Sequence, residues 1–142
     1  MENRVSTLVS RFKQIGEEHI RGLPIYHRPL QVEAVDFQPW AQGWIGVLIT
    51  PWFMNVMLLP RDKDQWQRLA VGQKNTQNLP SGDQEFVVGD DAEVGSYLFR
   101  SLASPMLRFK SQNNARQEAH AALQRLMAPN AGAKQAAASI RR

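Results

Sequence analysis

Few side chains in this 142-residue sequence are of a type and spacing that could do chemistry. The histidines, His19, His27 and His120, are scattered without metal-ligand spacing. Their plainest reading is exposure on a helix or loop, and no role is assigned to them. Cysteine is absent, which excludes disulfides, thiolate metal sites, iron–sulfur ligation by this chain and a Cys nucleophile. Asp90 and Asp91 are the best acid–base candidates, but adjacent aspartates after Gly89 read more simply as a solvated hairpin turn. The nucleophile-elbow, phosphate-loop and zinc-helix patterns do not occur. The sequence therefore points away from an enzyme and away from a metal or cofactor.

The most unusual local chemistry is the run Thr50, Pro51, Trp52, Phe53, Met54 and Asn55. Proline has no N–H to donate and holds the preceding residue extended, so the chain bends there. At a bend, consecutive side chains point different ways, and on a functional reading at least one of the three large apolar ones is left at the surface. An aromatic left at the surface beside a flexible thioether suits contact with another protein; the alternative is that all three fill the core. Leu79-Pro80-Ser81-Gly82 and Ser104-Pro105-Met106 are similar corners at strand ends. If the three corners meet, they form one apolar patch.

The elements that must position these corners follow from periodicity. Val5, Leu8, Val9, Phe12, Ile15 and Ile20 predict an amphipathic helix over 3–21, stopped by Gly22 and Pro24. A strand over 32–37, a turn at 38–43 and a strand over 44–49 make a hairpin. Trp44 to Ile49 is apolar on both alternating faces, as in a central strand covered on both sides. Residues 55–59 predict the next strand. Residues 61–83 read as loop with a short element near 66–71, and 84–88 and 96–103 as two strands joined at 89–93. Ser111 is an N-cap for a helix over 112–128, striped by Ala115, Ala119, Ala122, Leu123 and Leu126. The sum is an α+β domain: an antiparallel sheet of about five strands flanked by N-terminal and C-terminal helices.

The length suits one domain, assigned to 1–129, with 130–142 as a flexible, basic, Ala-rich tail. The formal charge is +4, but Lys134, Arg141 and Arg142 lie in that tail and leave +1 for the rest. Nucleic acid is thus not an expected partner. No apolar run approaches the ~18 residues that cross a bilayer, and no signal-peptide pattern opens the chain, so the expected compartment is the cytoplasm without membrane insertion.

Three stretches resemble the HybE/HupJ-type [NiFe]-hydrogenase assembly chaperones: GWIGVLITPWFMNVMLLP at 43–60, LPSGDQEFVVGDD at 79–91 and SYLFRSLASPM at 96–106. The resemblance implies a cytoplasmic maturation factor that binds precursors of the small subunit, the large subunit or both before export, with the twin-arginine signal peptide as a further contact. It supplies no catalytic residues. Some relatives carry a rubredoxin module with four Cys ligands, which this chain lacks. The motif positions expected to bind partners are Thr50, Pro51, Trp52, Phe53, Met54, Asn55, Leu79, Pro80, Gly82, Ser104, Pro105 and Met106. The alternative function is a small-molecule or redox-protective module acting on a cofactor precursor. A closed cavity of ~300 Å³ or more at the Pro51 corner favours that alternative, and a convex patch favours protein binding.

Overall fold

A computed structural model describes residues 2–62 and 64–129, with the side chains of all but Glu2 and Asn3 among them. The expected tail over 130–142 lies outside the described residues. α1 spans Glu2–Ile15 and presents Leu8 and Phe12 to the sheet. Burying such side chains stabilises the fold by roughly 1.5–3 kcal/mol each. The helix then widens into a π-helical turn, Gly16–Ile20, in which the Arg21 N–H donates to Gly16 O at 2.8 Å. α2 spans Gln112–Met127 and starts where its cap predicts: the Ser111 hydroxyl accepts from the Asn114 N–H.

Six strands, β1 Glu33–Trp40, β2 Gly43–Ile49, β3 Met54–Pro60, β4 Lys74–Leu79, β5 Gly82–Asp91 and β6 Gly95–Ala103, form one sheet in the order β1-β2-β3-β6-β5-β4. Every neighbouring pair is antiparallel. The architecture is thus the expected α+β class, with six strands instead of five. The added strand is β4, Lys-Asn-Thr-Gln-Asn-Leu, which sits at the sheet edge and is mostly solvated. Its polar side chains give no apolar alternation, so its sequence reads as loop although its backbone pairs along its whole length with β5. Between β3 and β4 the described residues form turns.

Two other boundaries move. β1 runs through Pro39 to Trp40, leaving only Ala41 and Gln42 as the turn; proline is tolerated because β1 is an edge strand. An extra residue is accommodated between Val35 and Gln38, where Asp36 takes a positive φ of 56°. β5 likewise extends to Asp91, so Asp90 and Asp91 lie at a strand end, not in the turn. Asp91 is held there by Arg11, whose Nε donates to it at 2.8 Å, and by the N–H groups of Glu93 and Val94.

The helices cover opposite faces of the sheet. α1 packs over Leu48, Met57 and Leu59, with Trp44, Phe37, Tyr97 and Phe99 around them. α2 packs over Ile45, Val47, Ile49, Met54, Val56, Leu58, Phe86, Val88 and Leu98 through Ala115, Ala119 and Leu123. β2 and β3 alternate between these two cores and are buried almost throughout, so Trp44 to Ile49 is indeed a central segment wet on neither face.

Candidate functional site: the Trp52 corner

The bend between β2 and β3 is built by Thr50. Its hydroxyl accepts from the N–H groups of Trp52 at 3.1 Å and Phe53 at 2.8 Å and donates to Phe53 O at 3.0 Å, while its own N–H donates to Phe53 O. Thr50 is fully buried, so these partners are the ones its polar atoms have in place of water. The turn sends Trp52 and Phe53 toward the α1 face and returns Met54 to the α2 core.

Trp52 lies among aromatic rings. It stacks on Phe12 of α1 and on Tyr26 of the connector, each at 6.5 Å between centroids, and meets Phe53 edge-on at 5.4 Å. Phe12 and Phe53 form a second edge contact at 5.7 Å. Such pairs contribute ~0.5–1.5 kcal/mol each beyond their buried area. Gly16 makes room for the indole: a Cβ on Gly16 would stand 3.0 Å from Trp52 Cζ3. Trp52 and Phe53 remain half-buried. Beside the indole an open groove of about 270 Å³ is lined by Lys13, Gly16, Glu17, Tyr26, Pro51 and Trp52, among others.

His27 fastens this corner to its neighbours. Its backbone N–H donates to Pro51 O at 2.9 Å, and its ring Nε2–H donates to Phe109 O at 2.6 Å. The acceptor is a carbonyl, so Nε2 carries the proton. Its placement between Pro24 and Pro29 is the signal in the sequence that the connector is fixed, and Gly16, four residues after Phe12, is the signal for the indole's seat.

The structure brings some of the sequence-selected positions together and separates others. Met54 pairs with Ala103, so Ser104 and Pro105, both exposed, follow directly beside the Trp52 corner, and His27 ties the loop that they begin to Pro51. The Leu79–Gly82 turn leaves the group. Leu79 is buried in the α2 core, and the Ser81 N–H donates to Leu126 O in the last turn of α2. Thr50, Pro51, Met54, Asn55, Leu79 and Met106 are all buried. Trp52, Phe53, Pro80, Gly82, Ser104 and Pro105 retain exposure. Met54, Leu79 and Met106 all turn into the α2 core, and the tie of the Leu79–Gly82 turn to the end of α2 sets it apart from the other two corners.

Two further grooves, of about 350 and 360 Å³, adjoin along β1 and α2 and share Asp36 and His120. His120 Nδ1 contacts Asp36 Oδ2, and Arg116 makes a two-pronged contact with Glu33. Burial pushes the Glu33 carboxyl up, but hydrogen bonds from Arg116 and Gln112 outweigh it and hold the carboxyl below its ordinary value. The Tyr97 phenol is pushed up to about 12 by burial, with Asp91 and Asp90 adding to the shift. Among the described residues, no group of three or more His, Cys, Asp or Glu side chains is placed to hold a metal ion.

Residues 3–142 match the family described as [NiFe]-hydrogenase assembly, chaperone, HybE. The chain belongs to this family. It is 38% identical over 122 residues to the hydrogenase expression/formation protein HupJ of Bradyrhizobium diazoefficiens, across 86% of this chain and 70% of that protein. It is 35% identical over 142 residues to the probable rubredoxin HupJ of Rhodobacter capsulatus, across 99% of this chain and 51% of that protein. The chain thus spans about half the length of that relative. The solution structure of HybE from Escherichia coli superposes with a TM-score of 0.70 at 25% identity, covering 87% of this chain and 76% of that one. The family is one of [NiFe]-hydrogenase assembly chaperones. No helix among the described residues is long and apolar enough to cross a membrane.

Proposed function

We propose that this chain is a cytoplasmic chaperone in [NiFe]-hydrogenase maturation that binds hydrogenase subunit precursors through the Trp52 corner and is not an enzyme. Residues 1–129 act as one chaperone domain in this reading. The observation that carries it is the half-buried aromatic cluster of Trp52, Phe53 and Tyr26, seated on α1 and held by Thr50 and His27. Large aromatics fixed in place before binding lose little freedom on contact, and buried Trp carries a large share of interface energy. Ser104 and Pro105 flank the contact. The buried members of the motif, Thr50, Pro51, Met54, Asn55, Leu79 and Met106, hold the shape of the surface. Pro80 and Gly82 belong to a separate surface beside α2.

The partner is a surface of the small or large subunit precursor, with the twin-arginine signal peptide as the alternative occupant. A small-molecule role gains less support: the groove at this corner is open, and its volume of about 270 Å³ falls below the ~300 Å³ at which ligand pockets begin. Affinity capture of each subunit precursor by the tagged full chain tests the proposal. Trp52→Ala is expected to lower recovery at least tenfold, roughly a hot-spot loss, with the circular dichroism spectrum retained. Full recovery by a folded Trp52→Ala variant removes the corner from the interface.

A further inference from the structure

The charges around the Trp52 corner are unevenly matched. Lys13 lines the groove beside the indole. Arg28 follows His27 in the chain, and Arg108 and Lys110 flank Phe109, so these three cations border the junction where His27 bonds both Pro51 and Phe109. All four side chains are exposed, and none makes an ion pair among the described residues. The Arg108 guanidinium lies 4.1 Å from the centroid of the Phe109 ring, which holds it without neutralising it. The nearby carboxylate Glu17 is engaged by Arg21 at 2.7 Å, and Glu18 accepts from Gln14 and lies 3.9 Å from His19. Leu107, between these cations, is 58% exposed.

The far end of the sheet differs. There Asp64, Asp90 and Asp91 line one groove between the β3–β4 and β5–β6 connections; Asp91 is engaged by Arg11 and backbone N–H groups, Glu93 lies 3.7 Å from Arg11, and Asp90 accepts from the Ser96 hydroxyl. The carboxylates of that end thus have Arg4 and Arg11 among them, whereas the four cations at the corner have no carboxylate partner among the described residues. A partner seated on the aromatic corner faces these cations and one groove carboxylate, Glu17, which Arg21 already engages.

We infer that the partner carries an apolar side chain that enters the Trp52 groove, ringed by aspartate and glutamate carboxylates that face Lys13, Arg28, Arg108 and Lys110. This inference rests on the Trp52 corner being the docking surface. It selects between the two occupants: an arginine-bearing segment such as the amino-terminal part of a twin-arginine signal peptide meets four unpaired cations, whereas an acidic patch on a subunit precursor is attracted.

The test compares two double charge reversals of equal size in the full chain, Arg28→Glu with Lys110→Glu and Arg61→Glu with Arg68→Glu, the second pair lying in the connection after β3. Binding kinetics are read against the purified large and small subunit precursors, the latter with and without its signal peptide, at low and high salt. The first pair is expected to weaken binding on the order of tenfold at about 50 mM salt, chiefly in the association rate. The deficit should shrink to within about threefold at roughly 500 mM, where the Debye length falls to a few Å. The second pair should change binding by less than about threefold, the range of a screened rim charge. Equal weakening by both pairs overturns the inference in favour of net charge alone. Tighter binding by the first pair, or binding that needs the signal peptide, overturns it in favour of a basic partner. If Trp52→Ala abolishes binding and neither reversal matters, the docking surface stands and the acidic ring is wrong. If Trp52→Ala has no effect, both readings fall. Binding of phosphatidylglycerol vesicles that the first pair abolishes, with precursor binding intact, transfers the basic end to a lipid surface and overturns the inference.

Discussion

Gly46 sits in the middle of β2 with its α1 face covered by the ring of Phe37 from the adjacent edge strand. A Cβ on Gly46 would stand 2.4 Å from both Cγ and Cδ1 of that ring and 2.7 Å from Cδ2. Because Cγ is the root of the ring, bending the end of the side chain does not relieve the overlap; Phe37 must leave its rotamer or β1 must shift. Overpacking of this kind costs roughly 1–3 kcal/mol. Ala in place of Gly in a strand interior recovers about 0.5–1 kcal/mol of backbone entropy. Gly46→Ala is therefore expected to destabilise the native chain by ~1–2 kcal/mol. Once Phe37→Ala has removed the ring, only the entropic gain remains, and the same substitution should stabilise by ~0.5–1 kcal/mol. The sign reverses, with a coupling near 2 kcal/mol, well above the ~0.5 kcal/mol scatter of independent sites. Urea unfolding of the four proteins, followed by far-ultraviolet circular dichroism, measures the cycle. Equal effects of Gly46→Ala in both backgrounds would refute the steric account.

Other outcomes test the corner and its electrostatics. Thr50→Val keeps the shape of the side chain but removes the acceptor for two N–H groups; a loss of ~2 kcal/mol in urea unfolding is expected from those orphaned donors, and a loss under ~0.5 kcal/mol would show that the turn closes without the hydroxyl. His27→Ala should accelerate native-state hydrogen exchange in the connector and the loop over 104–110 while leaving β2 and β3 protected, since it severs the bond to Phe109 O; unchanged exchange would mean that backbone bonds alone hold the junction. Asp91 is raised by burial, but the hydrogen bond from Arg11 and the N–H groups of Val94 and Glu93 prevail and leave its carboxyl below the ordinary value, as at Glu33. Both groups therefore bind protons more readily unfolded, and the stability that they contribute is present above about pH 4 and lost as pH falls through their folded values. Asp91→Asn and Glu33→Gln should each flatten the acid limb of the stability–pH curve; a limb of unchanged steepness in both would remove these pairs from acid unfolding.

What could be read in the sequence was whatever expressed itself in local spacing. The stripe from Leu8 to Phe12, the cap at Ser111 and the doubly apolar run of β2 are local statements, and each element forms where they put it. β4 was not legible, because an edge strand with solvated sides needs only backbone pairing and any polar sequence supplies that. The positive φ at Asp36, which lets β1 carry its extra residue, leaves no mark that separates it from an ordinary aspartate. At the corner, Pro51 announced a bend and the aromatics announced an unusual surface. Their arrangement depended on Phe12, Gly16 and Tyr26, residues distant in sequence that the fold alone delivers to Trp52. The Leu79–Gly82 turn shared the composition of the other two corners, but composition cannot report that its Ser81 N–H is tied to Leu126 O at the end of α2.

The strand order has a consequence during synthesis. β1, β2 and β3 are sequential hairpins, as are β4, β5 and β6, and the two halves meet where β3 pairs with β6. Until β6 leaves the ribosome, β3 is an open edge, and its Met-Asn-Val-Met-Leu-Leu-Pro, buried at every position in the finished sheet, carries no charge to discourage a second nascent chain from adding to it. A member of an assembly-chaperone family thus passes through a stage in which its own middle is uncovered. Chains truncated before β6 should accordingly be recovered as aggregates or in complex with general chaperones.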